Sequence, residues 1–192
     1  MKINKLWKDD YASPILLTPE LFEDERGFFF ESFNEKWFKE NVAEIDFVQD
    51  NESHSKLGVI RGLHFQKPPY AQSKLVRVVK GSAFDVAVDI RKGSPYYGCY
   101  IGALLTEDNH NQFFIPKGFA HGFVSLSDDT IFQYKCDNFY NKESEDALDA
   151  FDPVFGIHWD YFLGTVKPSM SEKDRLNKSF SEFESPFKIY ER

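Results

Sequence analysis

The residues of this chain that could do proton chemistry gather in a few short stretches. "VIRGLHFQ" (residues 59–66) sets Arg61 and His64 inside an apolar run, "KLVRVVKG" (74–81) opens on Lys74, and "FFIPKGFAHGF" (113–123) carries His121. A neutral imidazole titrates near pH ~6.5, which suits general-base work at neutral pH. A phenol titrates near pH ~10 and can return a proton to an enolate, which makes Tyr134 in "TIFQYKC" a candidate acid. For any single histidine or tyrosine the ordinary alternative is a hydrogen-bonded core or surface side chain. His64 departs from it through its company. On a regular strand Arg61, three residues upstream, points to the opposite face from His64. A β-bulge at Gly62 would shift that parity and turn both toward one cavity; without a bulge, Gly62 marks only close strand packing. Lys74 follows the loop "KPPYAQS", which predicts a rim position, and Arg77 and Lys80 are predicted to be solvated.

Pro116, Gly118 and His121 form a P-x-G-x-x-H pattern similar to the second motif of cupin barrels. Metal-dependent cupins, such as the oxygenases, add an H-x-H pair and a Glu from their first motif. Here His64 stands between Leu63 and Phe65 with no second histidine two residues away, so no metal site is expected. Cys99 and Cys136 have neither metal-ligand spacing nor the density of a disulfide scaffold, and read as two buried thiols.

These residues need a scaffold, and the pattern around them is all-β. Short apolar runs recur at regular spacing ("IDFVQDN", "GVIRGLHFQ", "KLVRVVKG", "SAFDVAVDI", "YYGCYIGALLT", "QFFIPKG", "FAHGFVSL", "TIFQYKC"), separated by turn signals such as Lys92-Gly93-Ser94-Pro95. Such spacing without helical periods predicts a sandwich or barrel. Alternation is clearest at Phe84, Val86, Val88 and Ile90, with Asp85, Asp89 and Arg91 on the opposite face. Asn34 can cap a short helix carrying Trp37 and Phe38, and a second short helix is predicted near Ser171–Asn177 in an otherwise irregular tail.

At 192 residues, 42% hydrophobic and 17% aromatic, the chain can bury a substantial core. Its net charge of −8 argues against nucleic acid or an acidic membrane as partner, so an anionic ligand needs a local cluster of cations. The first residues lack the apolar centre of a signal peptide, and no run approaches the roughly 20 apolar residues that span a bilayer. A soluble, cytoplasmic protein is expected.

Taken in order, "DERGFFFESFN", "FVQDNESHS", "VIRGLHFQ", "KLVRVVKG", "FDVAVDIRKGSP", "IPKGFAHGF" and "FGIHWD" resemble the dTDP-4-dehydrorhamnose 3,5-epimerase family over nearly the whole chain, about residues 10–175. The resemblance implies a cupin-like jelly-roll or double-sheet β barrel with short peripheral helices. It implies one epimerase domain over 1–192, with a barrel core at about 45–137 and the N-terminal strands and C-terminal segment packed around it. It also implies a homodimer that shares pocket residues across subunits, and no cofactor. The implied substrate is dTDP-4-dehydro-6-deoxy-D-glucose, inverted at C3 and C5 through an enolate to dTDP-4-dehydro-L-rhamnose, a precursor in carbohydrate (O-antigen) biosynthesis. His64 matches the base, Asp174 its partner carboxylate, Tyr134 the acid and Lys74 the lysine that steadies the enolate oxygen. Arg26, Glu31, Gln49, Asp50, Asn51, Arg61, His121, Tyr140, Glu145 and Lys173 match substrate-contact positions, with Tyr140 the aromatic that stacks on thymine. From sequence alone Asp174 is an unremarkable surface carboxylate. Two alternatives stand beside this one: an epimerase acting at only C3 or C5, or on another sugar nucleotide, and a catalytically silent sugar-nucleotide-binding cupin.

Overall fold

The protein is represented by a computed structural model that describes residues 1–7 and 12–189. Its strands are β1 (Lys2–Lys5), β2 (Ile15–Thr18), β3 (Phe22–Asp24), β4 (Gly27–Phe29), β5 (Gln49–Ser55), β6 (Ile60–Gln66), β7 (Lys74–Lys80), β8 (Ser82–Asp89), β9 (Arg91–Lys92), β10 (Tyr100–Thr106), β11 (Gln112–Ile115), β12 (Phe119–Ser125), β13 (Thr130–Cys136), β14 (Glu145–Ala147) and β15 (Phe187–Lys188). Three short helices, α1 (Glu35–Asn41), α2 (Trp159–Leu163) and α3 (Glu172–Arg175), lie at the periphery. Among the described residues no helix is long and apolar enough to cross a membrane.

Two antiparallel sheets carry the architecture. One has the order β1-β2-β11-β7-β13-β5, the other β10-β8-β12-β6-β14. Between them lies a core of Val76, Val78, Leu105, Phe113, Ile115, Phe123 and Phe132 with the small residues Ala83, Ala87 and Ala103. Each wholly buried side chain of the size of Phe113 or Phe132 stabilises the fold by about 1.5–3 kcal/mol through removal from water.

Both sheets are also covered on their outer faces. Ile60, Leu63, Val86, Val88 and Ile90 pack under the C-terminal segment, against Phe155, Trp159, Leu163 and Phe183. Leu17, Leu75 and Phe114 pack under Phe38 of α1, whose first turn is capped by the Asn34 side chain accepting from the Trp37 amide at 3.0 Å. The alternation read in β8 is therefore real, and both of its faces are buried. Its large apolar residues face outward beneath the C-terminal cover, while Asp85 and Ala87 face the space between the sheets, where small side chains leave room for a cavity.

The bulge at Gly62 is present. Arg61 pairs with Phe123 and His64 with His121, so three steps along β6 oppose two along β12. The extra residue is accommodated because the strands approach closely there. Gly62 sits at φ +142°, and a Cβ on it would stand 2.6 Å from the Gly122 Cα; a Cβ on Gly122 would stand 2.7 Å from the Arg61 carbonyl oxygen. Gly62→Ala is therefore expected to lower stability by about 2–4 kcal/mol, from steric overlap and the disfavoured φ together. Urea unfolding checks this; a change below about 0.5 kcal/mol would mean that the strands spread freely.

Candidate active site

Strand register decides which side chains meet. On the six-stranded sheet Cys136 lies between Lys74 and Gln49, and Tyr134 between Val76 and Asn51. These side chains turn inward. On the five-stranded sheet the bulge brings Arg61 and His64 to the same inner face as His121 and Phe123. The result is a divided cavity. Its inner part, about 220 Å³, is lined by Ser53, Arg61, His64, Lys74, His121, Phe123, Phe132 and Tyr134. Its outer part, about 160 Å³, is lined by Gln49, Asn51, Gln66, Gln72, Tyr140 and Glu145 among others, and shares His64, Lys74 and Tyr134 with the inner part. A larger cavity of about 530 Å³ beside α1 holds none of the site residues singled out from the sequence.

Asp174 arrives from far along the chain. Val59 bridges Ser169 and Leu148 bridges Lys178 in parallel, which straps the C-terminal segment over β6. Ser171 then caps α3 by accepting from the Asp174 amide at 3.1 Å. The carboxylate is buried, with its Oδ1 2.6 Å from His64 Nε2. Burial pushes its carboxyl up, but the hydrogen bond and attraction to His64, with help from Ser171 and Lys173, outweigh that and hold it below the usual carboxylate range.

The same contest runs through the other groups. Burial lowers the Lys74 ammonium despite the opposing pull of Cys136, Asp85 and Glu145. Burial raises the Tyr134 phenol, with Cys136 and Glu145 adding and Arg61 opposing, so it carries its proton at neutral pH. Cys136 is pushed up to about 11, chiefly by burial, and is a neutral thiol. At the outer end Tyr140 donates to Glu145 at 3.0 Å, and the Lys173 ammonium lies 2.7 Å from the same carboxylate. Those two partners overcome burial and keep the Glu145 carboxyl low. Gln49 supports this end by accepting from the Tyr140 amide at 2.9 Å and donating to Asn51 at 3.0 Å.

Within one chain three matched residues stay away from the cavity. Arg26 is exposed and pairs with Asp24, Glu31 is exposed and accepts from Asn34, and Asp50 faces outward on β5 against Lys135. Three sequence expectations need correcting. Lys74 lines both parts of the cavity and is not confined to a rim, because its strand begins inside the mouth. Arg77 is half-buried beneath the Phe30 ring and donates to Gln133, so it is not solvated, unlike Lys80, which is exposed beside Asp129. Cys99 is exposed, and only Cys136 is buried.

Two polar residues at the inner end escaped the sequence reading. Asp85, wholly buried, lies 3.0 and 2.9 Å from His121 Nε2 through its two oxygens. Its signal was a pair of acids four residues apart, Asp85 and Asp89, on one face of "FDVAVDI", which is costly on a strand with two buried faces unless each acid has a partner. Ser53 continues the inward row of Gln49 and Asn51, and its hydroxyl is buried without a hydrogen-bond partner. Among the described residues no three His, Cys, Asp or Glu side chains converge to hold a metal ion.

His64 on one sheet, paired with the α3 carboxylate of Asp174, faces the protonated phenol of Tyr134 on the other, and the fold that frames them is a cupin-like isomerase barrel. The family model described as dTDP-4-dehydrorhamnose 3,5-epimerase matches residues 10–182. A dTDP-4-dehydrorhamnose 3,5-epimerase of Methanothermobacter thermautotrophicus is 50% identical over 91% of this chain and 94% of its own length. The structure of a dTDP-6-deoxy-D-glucose-3,5-epimerase from Legionella pneumophila in complex with dTDP-4-keto-L-rhamnose superposes with TM-score 0.89 at 41% identity, covering 100% of both chains. A 3'-monoepimerase from Streptomyces bikiniensis in complex with dTDP-quinovose is similar at TM-score 0.81 and 28% identity, covering 88% of this chain and 84% of its own. The chain belongs to the dTDP-4-dehydrorhamnose 3,5-epimerase family.

The lowered Asp174 carboxyl carries a stability consequence. A depressed group stabilises the fold above its unfolded pKa of about 3.9, and that contribution is lost as pH falls through its folded value. Asp174→Asn should cost about 1–3 kcal/mol at pH 7, and the gap to wild type should close as the pH falls below about 4. Urea unfolding at several pH values measures the gap; one that stayed constant into acid would show that the carboxylate's charge contributes nothing.

Proposed function

We propose that the chain inverts C3 and C5 of dTDP-4-dehydro-6-deoxy-D-glucose to give dTDP-4-dehydro-L-rhamnose, by proton removal and return. The C4 carbonyl acidifies the protons on both neighbouring carbons. His64 takes the proton, and Asp174 orients the ring and steadies the imidazolium that forms. Lys74 stabilises the enolate oxygen, a pre-placed charge in a cavity where burial makes it count for more than in water. Tyr134 returns the proton.

The observation that carries this reading is the placement of His64 and Tyr134 on opposite sheets across one cavity. A proton taken toward one wall and returned from the other inverts the carbon between them. The outer part suits the nucleotide. Tyr140, exposed and held by Glu145 and Gln49, offers a flat face for the thymine, with Lys173 beside it and Arg61 in the adjoining inner part as local cations in a chain whose overall charge repels anions.

The assembly that completes the site is a homodimer. The β3–β4 hairpin presents Phe22, Phe28 and Phe29 to solvent at 56–69% exposure, next to Arg26. Exposed aromatics clustered on a hairpin fit a surface that a second copy covers. Arg26 and Glu31, which do not reach the cavity of their own chain, would then serve the partner's.

Incubation in D₂O with dTDP-4-dehydro-6-deoxy-D-glucose should place deuterium at both C3 and C5, read by NMR. Label at one carbon would convert the reading to a single-centre epimerase, and label at neither would sink it. His64→Ala should slow exchange by about 10²–10⁴-fold. Tyr134→Phe should impair reprotonation more than the first removal, so equal loss of both would argue against an acid role. The shared site has its own test: His64→Ala and Arg26→Ala proteins, each impaired, are mixed and re-equilibrated. Recovered activity is expected, since a hybrid dimer holds one intact site; a mixture no better than its components would place Arg26 outside the partner's cavity.

A further inference from the structure

The base, acid, lysine and nucleotide contacts leave one buried pair without a task. His121 lines the inner cavity with Asp85 behind it, their side chains 8% and 0% exposed. The two Asp85 oxygens bracket His121 Nε2 at 3.0 and 2.9 Å. Among the described residues no group hydrogen-bonds the other ring nitrogen, and the ring lines the inner cavity. Nδ1 is therefore the polar atom His121 offers to a ligand. Whether it offers a lone pair or a proton depends on what Asp85 does at Nε2, because one nitrogen of a neutral imidazole donates while the other accepts.

Charge decides between the two. Lys74 lines the same cavity, and His64 gains a positive charge when it takes a proton. Burial of the His121 ring, with the Lys74 and His64 charges adding to it, disfavours the protonated form and keeps the ring neutral. Burial pushes the Asp85 carboxyl well up and the Lys74 ammonium pulls it down. The geometry favours the ionised form, because two oxygens nearly equidistant from Nε2 suit one N–H shared between two acceptors, and that carboxylate offsets the Lys74 charge. Glu145 lies at the outer mouth, already paired with Lys173 and Tyr140, and is less free to serve.

We propose that Asp85 is a positioning residue: it accepts the Nε2 proton of His121, so that His121 meets the hexose with Nδ1 as a hydrogen-bond acceptor, and it supplies the counter-charge to Lys74. The group recognised by Nδ1 is then a hydroxyl of the sugar ring, a donor, and neither a keto oxygen nor a phosphate oxygen, which only accept. This deepens the epimerase reading and rests on it.

The test uses the whole protein labelled with ¹⁵N-histidine, with the His121 signals assigned by their loss in His121→Gln. Free wild-type enzyme should show a protonated Nε2 and an unprotonated Nδ1. A protonated Nδ1 would overturn the proposal, and this readout requires no variant of Asp85 to fold. Asp85→Asn, nearly the same shape, should cut kcat at least about tenfold, equivalent to 1.4 kcal/mol, while the Kd for dTDP changes less than about twofold. An unchanged kcat, or an equal loss of dTDP affinity, would remove Asp85 from this role. Wild-type exchange in D₂O runs alongside: if it is absent the epimerase reading fails by itself, while the His121 tautomer still judges Asp85.

Discussion

Two glycines that touch across neighbouring strands set the geometry of the site. Gly62 on β6 and Gly122 on β12 approach so closely that neither has room for a Cβ, and the bulge at that contact adds one residue to β6. A strand normally alternates its side chains between faces, so Arg61 and His64 would diverge. The added residue reverses parity between them, and both line one cavity. His64 then lies within reach of Asp174 on one side and across from Tyr134 on the other. Without the contact the same residues would exist, but they would not form a site.

The barrel also manages a heavy polar load in its interior. Asp85, His121 and Lys74 lie where a small β barrel would usually place apolar side chains, and each would be costly alone. They are tolerable because they face one another in a divided cavity, and because the large apolar residues of the same strands are used on the outer faces. Val86, Val88 and Ile90 lie beneath the C-terminal segment, and Leu75 and Phe114 beneath α1. Stability therefore comes from three apolar clusters, two of them outside the sheets, which leaves space between the sheets for chemistry.

Much of this was legible in the chain. Regular strand spacing indicated the all-β class, the Asn34 cap marked α1, and Gly62 in "IRGLHF" posed the parity question whose answer was a bulge. Other features were not legible, for physical reasons. Asp174 looked like a surface carboxylate because nothing local to "SEKDRLNK" draws it toward a histidine 110 positions away. The backbone bridges at Ser169 and Lys178 do that. Arg77 and Cys99 were misjudged because exposure depends on what covers a strand: the Phe30 ring lies over one, and nothing seals the other.

Sequence by itself determined the residue types available for proton transfer, the periodicity that makes strands, and the local caps and glycines that begin, end and kink them. These depend on dihedral preference and hydrophobic alternation, which act over a few residues. Tertiary structure decided which faces were interior, that Asp85 stands behind His121, that Asp174 reaches His64, and that Lys74 lies inside the cavity mouth. Those outcomes depend on strand register and on close packing between segments as far as 110 residues apart, which no local pattern encodes.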